Sequence, residues 1–413
     1  MTQIYKAIDS CRICKSKSLT DILDLGNQAL TGVFPKPEDT LKMSPVVVCK
    51  CDHCHLVQLR HTVNLDLMYG ETYGYQSSLN SSMVRHLQGL SEQVKGLIDL
   101  QEGDVILDIG SNDATFLKCF DKDKHTLIGI DPTASKFLKE YEGMVVETDF
   151  FSEQAYLRAT LDRNIGKARV VTSIACFYDL ENPIQFAKET AGILKEDGIW
   201  LMEMAHLPAI LQNLCFDGYV QEHLEYYSLR DIKYIMDQAG LKIVDVKFTD
   251  TNGGSFIVVV THEKNENFEE FWRLDSFLKA ESHLSSLETH TAFERDVEQF
   301  KDKFVTLLSD LKSQGKSVYG LGASTKFNVV LQYCGIGPEL LPAIGEVNDY
   351  KFGRITPGTG IPIIPEKEVL EKNPDFLVIG PYHFRDSFIK ILKPFTDKGG
   401  KIIFPLPNLE IIG

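Results

Sequence analysis

The sequence predicts an α/β protein of three units: a small metal-binding module, a doubly wound parallel sheet, and a smaller Rossmann-like α/β unit at the end. Three observations carry that prediction. Apolar runs of strand length alternate with helical segments through residues 101–262, the pattern of a mostly parallel sheet with helices on its faces. The order strand, glycine turn, helix restarts in "KSVYGLGASTKFNVVLQYCG" after residue 315. Five of the nine cysteines fall within the first 54 residues, four of them as two CxxC pairs.

The bulk properties agree. A chain of 413 residues is too long for one ordinary core, and 43% hydrophobic with 24% charged residues is a globular composition. The formal net charge of −15 argues against a general nucleic-acid binder, whose affinity comes from neutralising phosphates. It leaves room for a small anion held by a local Lys/Arg cluster. No apolar run approaches the roughly 18 residues of a membrane span. The opening "MTQIYKAIDS" lacks the charged-then-apolar pattern of a signal peptide. A cytoplasmic chain with neither membrane nor nucleic-acid partner is the expectation.

Residues 1–66 form the first unit. "CRIC" at 11–14 and "CDHC" at 51–54 stand 36 residues apart. Cys11, Cys14, Cys51 and Cys54 would give a structural Zn2+ ion two edges of a tetrahedron. Cys49 and His53 are substitute ligands that break the CxxC symmetry. No thioredoxin-like βαβ pattern surrounds either pair, so a redox role is not expected.

The second unit spans 67–262. It begins with a helical lead to about residue 100, where "YGETYGYQSSLNSSMVRHL" places serines to cap the helix that follows. "DVILDIGSNDATFLKCF" reads as strand, glycine turn and helix; "HTLIGIDPT", "MVVETDFF", "ARVVTSIACFYDL" and "GIWLMEM" read as further strands. "LKIVDVKFTDTNGGSFIVVVTHE" reads as a closing antiparallel hairpin. A charged helical linker, 263–314, leads to the third unit, 315–413.

The first turn of the central sheet narrows the chemistry. A dinucleotide fold wants GxGxxG so that a pyrophosphate can sit on a helix N-terminus. Here Gly110 is followed by Ser111, Asn112 and Asp113, with no second glycine and with an acid where a pyrophosphate would be repelled. The D-x-G-x-N turn is the signature of S-adenosyl-L-methionine (SAM) binding in Rossmann-like methyltransferases. Asp108 and Asp113 suit the cationic amino-acid end of SAM, and Gly110 allows close backbone approach. Asp131 is placed for the ribose hydroxyls, and Asp149 and Phe150 for the adenine. Taken singly, Asp113 reads as a helix N-cap and Asp149 as a turn residue; the four-part pattern favours the cofactor.

The order CxxC…CxxC, "DIGSND", "QEHLEYYS", "NGGSF", "GASTK" and "TPGTGIP" covers nearly the whole chain. It resembles the bacterial SAM-dependent sugar C-methyltransferases of deoxysugar biosynthesis. That resemblance implies an N-terminal zinc-binding domain, a class I SAM-dependent methyltransferase core and a C-terminal C-methyltransferase domain. It also implies a nucleotide-linked, dTDP-type 4-keto sugar methylated at carbon 3. The "EHxxYYS" segment places the catalytic pair on Glu222 and His223, and "YxYxSS" places Tyr75 and Ser78 at the substrate pocket. Two departures stand out. The usual "GSNDG" ends here in Ala114. The loop after the fourth strand, where some members carry a His, reads Phe177, Tyr178, Asp179.

The chemistry of C-methylation sets the remaining expectations. A ketone acidifies the neighbouring C–H; a base removes the proton, and the enolate attacks the sulfonium methyl. His223 is the expected base because imidazole titrates near working pH, with Glu222 orienting it. His206 is the rival, and His86 and His383 are weaker candidates. Tyr75, Tyr226 or Tyr227 would donate to the enolate oxygen. In the third unit, the "GLGASTK" turn with Lys326, Lys351 and Arg354 is expected to hold the nucleotide diphosphate. The alternatives are O- or N-methylation of another small molecule, an NAD-dependent oxidoreductase, and a non-catalytic zinc protein.

Overall fold

The computed structural model describes residues 4–69 and 75–413. Residues 70–74 of the tyrosine-rich stretch lie outside the described residues.

The N-terminal module carries β1 (Tyr5–Ala7), β2 (Leu19–Ala29), β3 (Met43–Cys51), β4 (Val57–Leu59) and β5 (His61–Val63). β2, β3 and β4 form an antiparallel meander, and β1 pairs with β5. Helix α1 (Ser81–Leu97) lays Leu87, Leu90 and Val94 on the central sheet. Its N-cap is Asn80, whose side chain accepts from Ser82 N. The expected serine hydroxyl cap is thereby corrected: the amides of Ser77 and Ser78 turn instead to the side chains of Asn112 and Asp113, at 3.0 Å each.

The central unit contains β6 (Val105–Ile109), β7 (Thr126–Ile130), β8 (Val145–Glu147), α2 (Glu153–Thr160), β9 (Ala168–Ile174), α3 (Pro183–Ile193), β10 (Leu194–Ala205), α4 (Leu207–Gln212), the two-residue β11 (Glu225–Tyr226), α5 (Leu229–Gln238), β12 (Leu241–Thr249) and β13 (Ser255–His262). Its sheet runs β12-β13-β10-β9-β6-β7-β8. Only β13 is antiparallel to its neighbours β10 and β12, because the β12–β13 hairpin brings the chain straight back. The β6, β7 and β9 strands are buried along nearly their whole length, which explains their unbroken apolar runs.

One expected helix is missing. After the glycine turn the chain makes tight turns and one 3-10 turn at Leu117–Cys119, and no α-helix. Asn112 and Ala114 both take positive φ, 47° and 61°, and two left-handed residues within three positions break any helical start.

The helices α6 (Leu274–Ala280) and α7 (Leu287–Ser313) lead into β14 (Val318–Leu321), α8 (Thr325–Cys334), β15 (Ile344–Glu346), β16 (Ile363–Pro365), α9 (Glu366–Glu371), β17 (Phe376–Ile379), α10 (Arg385–Ile391), α11 (Lys393–Thr396), β18 (Lys401–Phe404) and β19 (Glu410–Ile412). The sheet order β16-β15-β14-β17-β18-β19 is parallel except for the last strand.

The units interlock. β11 pairs with β4 of the N-terminal module, Glu225 opposite Gln58 and Tyr226 opposite Val57. One hydrophobic core joins Ile22, Val46, Val48 and Leu59 of that module to Phe300 and Phe304 of α7 and to the C-terminal sheet. Polar ties reinforce the contact: Asn328 Nδ2 donates to Thr31 O at 2.9 Å and Arg354 to Phe34 O at 2.8 Å. Among the described residues, no helix is long and apolar enough to cross a membrane.

Candidate active site

The two CxxC knuckles close on each other. The Sγ atoms of Cys11, Cys14, Cys51 and Cys54 all lie within 4.8 Å of one another, and Cys11–Cys54 and Cys14–Cys51 are each 3.5 Å apart. Four thiolates at the corners of a small tetrahedron, with none left over for substrate, fit a structural Zn2+ ion. Cys49 and His53 stand outside the group. Burial in β3 pushes the Cys49 thiol up to about 12, so it remains an inert thiol.

Arg12, between the first two cysteines, carries the zinc knuckle into the rest of the molecule. Its buried guanidinium donates to Leu59 O at 2.7 Å and to Thr62 Oγ1 at 2.9 Å, reaches Leu224 O at 3.5 Å, and lies 3.6 Å from Glu225. Glu225 is 1% exposed, and burial holds its carboxyl far above the usual range. Arg12→Ala should therefore destabilise the fold by about 3–5 kcal/mol, the cost of stripping the partner from a buried ionisable group. Lysine, a point charge without the guanidinium fork, should not rescue it. Denaturant unfolding of the two variants checks this.

At the carboxyl ends of β6, β7 and β9, where strand order reverses, lies the crevice in which doubly wound sheets bind ligands. Gly110 has φ +77°, and a Cβ there would meet Cys176 at 3.2 Å, so the turn needs glycine for both conformation and space. Asp108 is fully buried and accepts from Thr172 Oγ1 at 2.6 Å; burial pushes its carboxyl up to about 7. Asp131 accepts from Asn112 N at 2.9 Å and from Thr133, which locks the turn to the end of β7. Asn112 and Asp113 hold the segment 75–78: Asn112 Nδ2 also donates to Tyr75 O at 3.2 Å. Asp149 pairs with Arg158 at 2.6 Å. Phe150 is 40% exposed, with its ring edge-on to Tyr69 at 6.0 Å. A glycine turn between two acids, with an exposed aromatic ring at the rim, fits SAM: acids for its cationic end and a free face for the adenine.

Segment 219–228 is held from both sides. β11 fixes it to the zinc module, and Leu224 N donates to Tyr178 O at 2.7 Å. The capping box Ser228–Asp231 starts α5 directly behind it. His223 lies over the Tyr178 ring at 4.2 Å, and its Nδ1 faces Gly218 O at 3.3 Å. A carbonyl only accepts, so Nδ1 carries the hydrogen and Nε2 keeps its lone pair. Burial and then the Lys326 ammonium push His223 down to about 3, far below the near-neutral titration that the sequence suggested. Glu222 is bonded to the Gly32 backbone, and burial raises its carboxyl. Tyr226 donates to His223 O at 2.9 Å and Tyr227 to Phe177 O at 3.4 Å; both are buried. Tyr75 is 46% exposed.

The other histidines have partners of their own. His206 Nε2 pairs with Glu281 at 2.9 Å between the Phe248 and Phe256 rings. His86 pairs with Glu203 at 2.6 Å.

In the C-terminal unit the glycine turn is closed by its own acid: Glu346 accepts from Ala323 N at 3.1 Å. Lys351 Nζ reaches Ala323 O at 2.8 Å and Glu346 at 3.3 Å. Arg354 stacks on Tyr350 with 4.2 Å to the ring centroid. Lys326 leaves the turn altogether and donates to Asn252 O, across the unit boundary, at 2.6 Å.

Sequence reasoning passed over Arg12, Asp217 and Tyr178 as site-building residues. No local pattern marks them, since their partners lie 45 to 213 positions away along the chain or come from another unit.

The strand order, the glycine turn and the acids around it define a class I SAM-dependent methyltransferase. Three family models match the chain in succession: a zinc binding domain over residues 11–69, a methyltransferase domain over 79–246, and a C-methyltransferase C-terminal domain over 250–407. The chain is thus built, in order, of a zinc binding domain, a methyltransferase domain and a C-methyltransferase C-terminal domain. The C-methyltransferase NovU of Streptomyces niveus is 27% identical over 416 residues, covering 100% of this chain and 99% of that protein. Among solved structures, the magnesium protoporphyrin IX methyltransferase ChlM of Synechocystis PCC 6803 with bound SAM aligns at TM-score 0.33 and 14% identity, over 48% of this chain and 89% of that one. A SAM-dependent methyltransferase of Clostridium acetobutylicum ATCC 824 aligns at TM-score 0.33 and 13% identity, over 43% and 92%.

Proposed function

We propose that this enzyme methylates carbon 3 of a nucleotide-linked, dTDP-type 4-keto deoxysugar through an enolate. The observation that carries the reading is His223: a neutral imidazole with Nε2 open as base, where the methyltransferase unit meets the C-methyltransferase unit. SAM, when bound, supplies an electrophilic methyl group. The chain's own residues do the rest. His223 Nε2 takes the proton from carbon 3. Glu222, its carboxyl raised by burial, accepts from the Gly32 backbone and holds the segment there. Asn112 and Asp113 hold the 75–78 segment over the turn, which positions Tyr75 and Ser78 toward the sugar. Tyr226 braces the His223 backbone by donating to its carbonyl. Asp108, Gly110, Asp131, Asp149 and Phe150 hold the cofactor. Lys351 and Arg354 mark the C-terminal edge where the nucleotide would lie. The full-length similarity to a C-methyltransferase supports carbon over oxygen or nitrogen as the acceptor.

The test is purified protein with SAM and a dTDP-4-keto-6-deoxysugar, with the product examined by carbon NMR. A new methyl bonded to carbon is the expected result. A methyl shift typical of O–CH3 or N–CH3 would move the reading to heteroatom transfer, and no transfer to any keto sugar would end it.

A further inference from the structure

Where the central and C-terminal units meet, a buried polar cluster surrounds Lys326. Its ammonium donates to Asn252 O at 2.6 Å and faces His383 Nε2 at 3.1 Å. His383 stacks on Tyr382 at 3.9 Å, and Tyr382 donates to Asp217 Oδ1 at 3.0 Å. Asp217 is fully buried, and its Oδ2 has no hydrogen-bond partner, lying 3.9 Å from His383 Nε2. The next residue, Gly218, supplies the carbonyl that faces His223. The "NGGSF" turn is shaped by this contact: a Cβ on Gly253 would strike His383 at 2.7 Å and Cys215 at 2.8 Å.

The geometry of the ammonium is informative. Lysine has three donors, and two are spent on neutral acceptors, a carbonyl and an imidazole. Among the described residues the third is uncommitted, and no carboxylate touches the charge directly. A partly desolvated cation left in that state is built to meet an anionic oxygen. Asp217, 3.9 Å from His383, immediately precedes Gly218, whose carbonyl faces His223 Nδ1 at 3.3 Å, so the cluster puts the ammonium on the His223 side and away from the Glu346-closed glycine turn. Its charge acts in the same sense, disfavouring protonation of that imidazole.

We propose that Lys326 belongs to the reaction centre: from the C-terminal unit its ammonium offers its remaining N–H to the oxygen that becomes anionic when His223 takes the substrate proton. The inference rests on the keto-sugar reading above. In the step, the carbon 3 C–H bond breaks and its proton passes to His223 Nε2. The electron pair forms the enolate, with charge on the ketone oxygen facing Lys326. The enolate carbon then bonds the methyl as the sulfur–methyl bond breaks, and the sulfur keeps that pair. Asn252 and His383 position the ammonium, and Asp217 offsets its charge at a distance. The titratable groups around His223 are Lys326 from α8, His383 after β17, Tyr178 and Asp179 after β9, and Asp217, Glu222 and Tyr226 of its own segment. Lys326 is the cation among them.

Lys326→Met in the full-length zinc-loaded enzyme tests this with three readings. The expected results are a kcat lower by about 10²–10³-fold, as for loss of an oxyanion donor, and a His223 titration by NMR raised by about one unit. The dTDP affinity by calorimetry should change by no more than about threefold. Lys326→Arg, which keeps the charge, should keep the His223 titration low and recover part of the rate. Should Lys326→Met not fold, Lys326→Gln keeps a donor to Asn252 and carries the same readings. An unmoved His223 titration would overturn the proposal. So would a dTDP affinity weakened about tenfold or more with kcat preserved, which would make Lys326 a diphosphate ligand. If the wild-type chain methylates no keto sugar, the substrate reading fails by itself, and the His223 titration still decides whether Lys326 is paired with that base.

Discussion

Replacing His223 by alanine should lower kcat/KM by about 10²–10⁴-fold, the contribution of a positioned general base, while SAM binding measured by calorimetry stays unchanged. The separation is expected because His223 and the cofactor turn sit on different supports. The turn at Gly110–Asp113 hangs on β6 and β7 through Asp131, whereas His223 hangs on β11, Tyr178 and Gly218. The pH dependence follows from the sign of its shift. Burial and Lys326 depress the imidazole to about 3, against an ordinary value near 6.5. The base form therefore stays populated as pH falls from 8 to about 5, and kcat/KM should show no acid limb at 6.5. Folding responds in the same direction. Below about pH 6.5 the unfolded chain takes up a proton that the folded chain refuses until about pH 3, so this histidine weakens stability as pH falls through that window. A pH–rate profile of the wild-type enzyme with a clear acid limb near 6.5 would remove His223 from the role of base.

Extracting the zinc, or replacing Cys51 by serine, should abolish methyl transfer while leaving SAM binding largely intact. The Gly110–Asp113 turn hangs on β6 and β7, whereas the four-cysteine cluster anchors the knuckle that carries Arg12, and Arg12 reaches Leu59, Leu224 and Glu225. β4 beside it supplies the pairing partner of β11. A structural zinc site contributes apparent binding energy on the order of 10–16 kcal/mol at neutral pH, comparable with the roughly 5–15 kcal/mol stability of a whole domain. Its loss would release the module and, with it, the support behind Glu222 and His223. Following zinc release with a colorimetric chelator alongside methyl transfer checks this. Activity that outlives complete zinc loss would show that the segment holds its place without the module.

Much of the architecture was legible because it is encoded in local pattern. The paired CxxC knuckles, the buried strands from "VILDI" to "IWLMEM", and the restart at "SVYGL" each carry their signal within a few residues. The errors arose where distant groups override local preference. "NDATFLKCF" reads as a helix start, yet positive φ at Asn112 and Ala114 spends those residues on the cofactor turn. The serines before α1 read as caps, yet their amides are drawn to Asn112 and Asp113, more than 30 positions away. Lys326 reads as the basic end of a phosphate turn, but Glu346 closes that turn and the lysine crosses to the neighbouring unit.

By itself the sequence determined the three units, the four-cysteine cluster and the glycine turn between its acids, since each depends on residue type and short spacing. Only the tertiary structure decided how "YVQEHLEYYS" is used. It makes the segment an edge strand of the zinc module's sheet, tilts His223 against the Tyr178 ring, points Nδ1 at Gly218 O and turns the Lys326 charge of another unit on that imidazole. The physical reason is that a titratable side chain is shaped by its surroundings. Tautomer, desolvation and neighbouring charge come from groups far apart in the chain, and no pattern of adjacent residues records them.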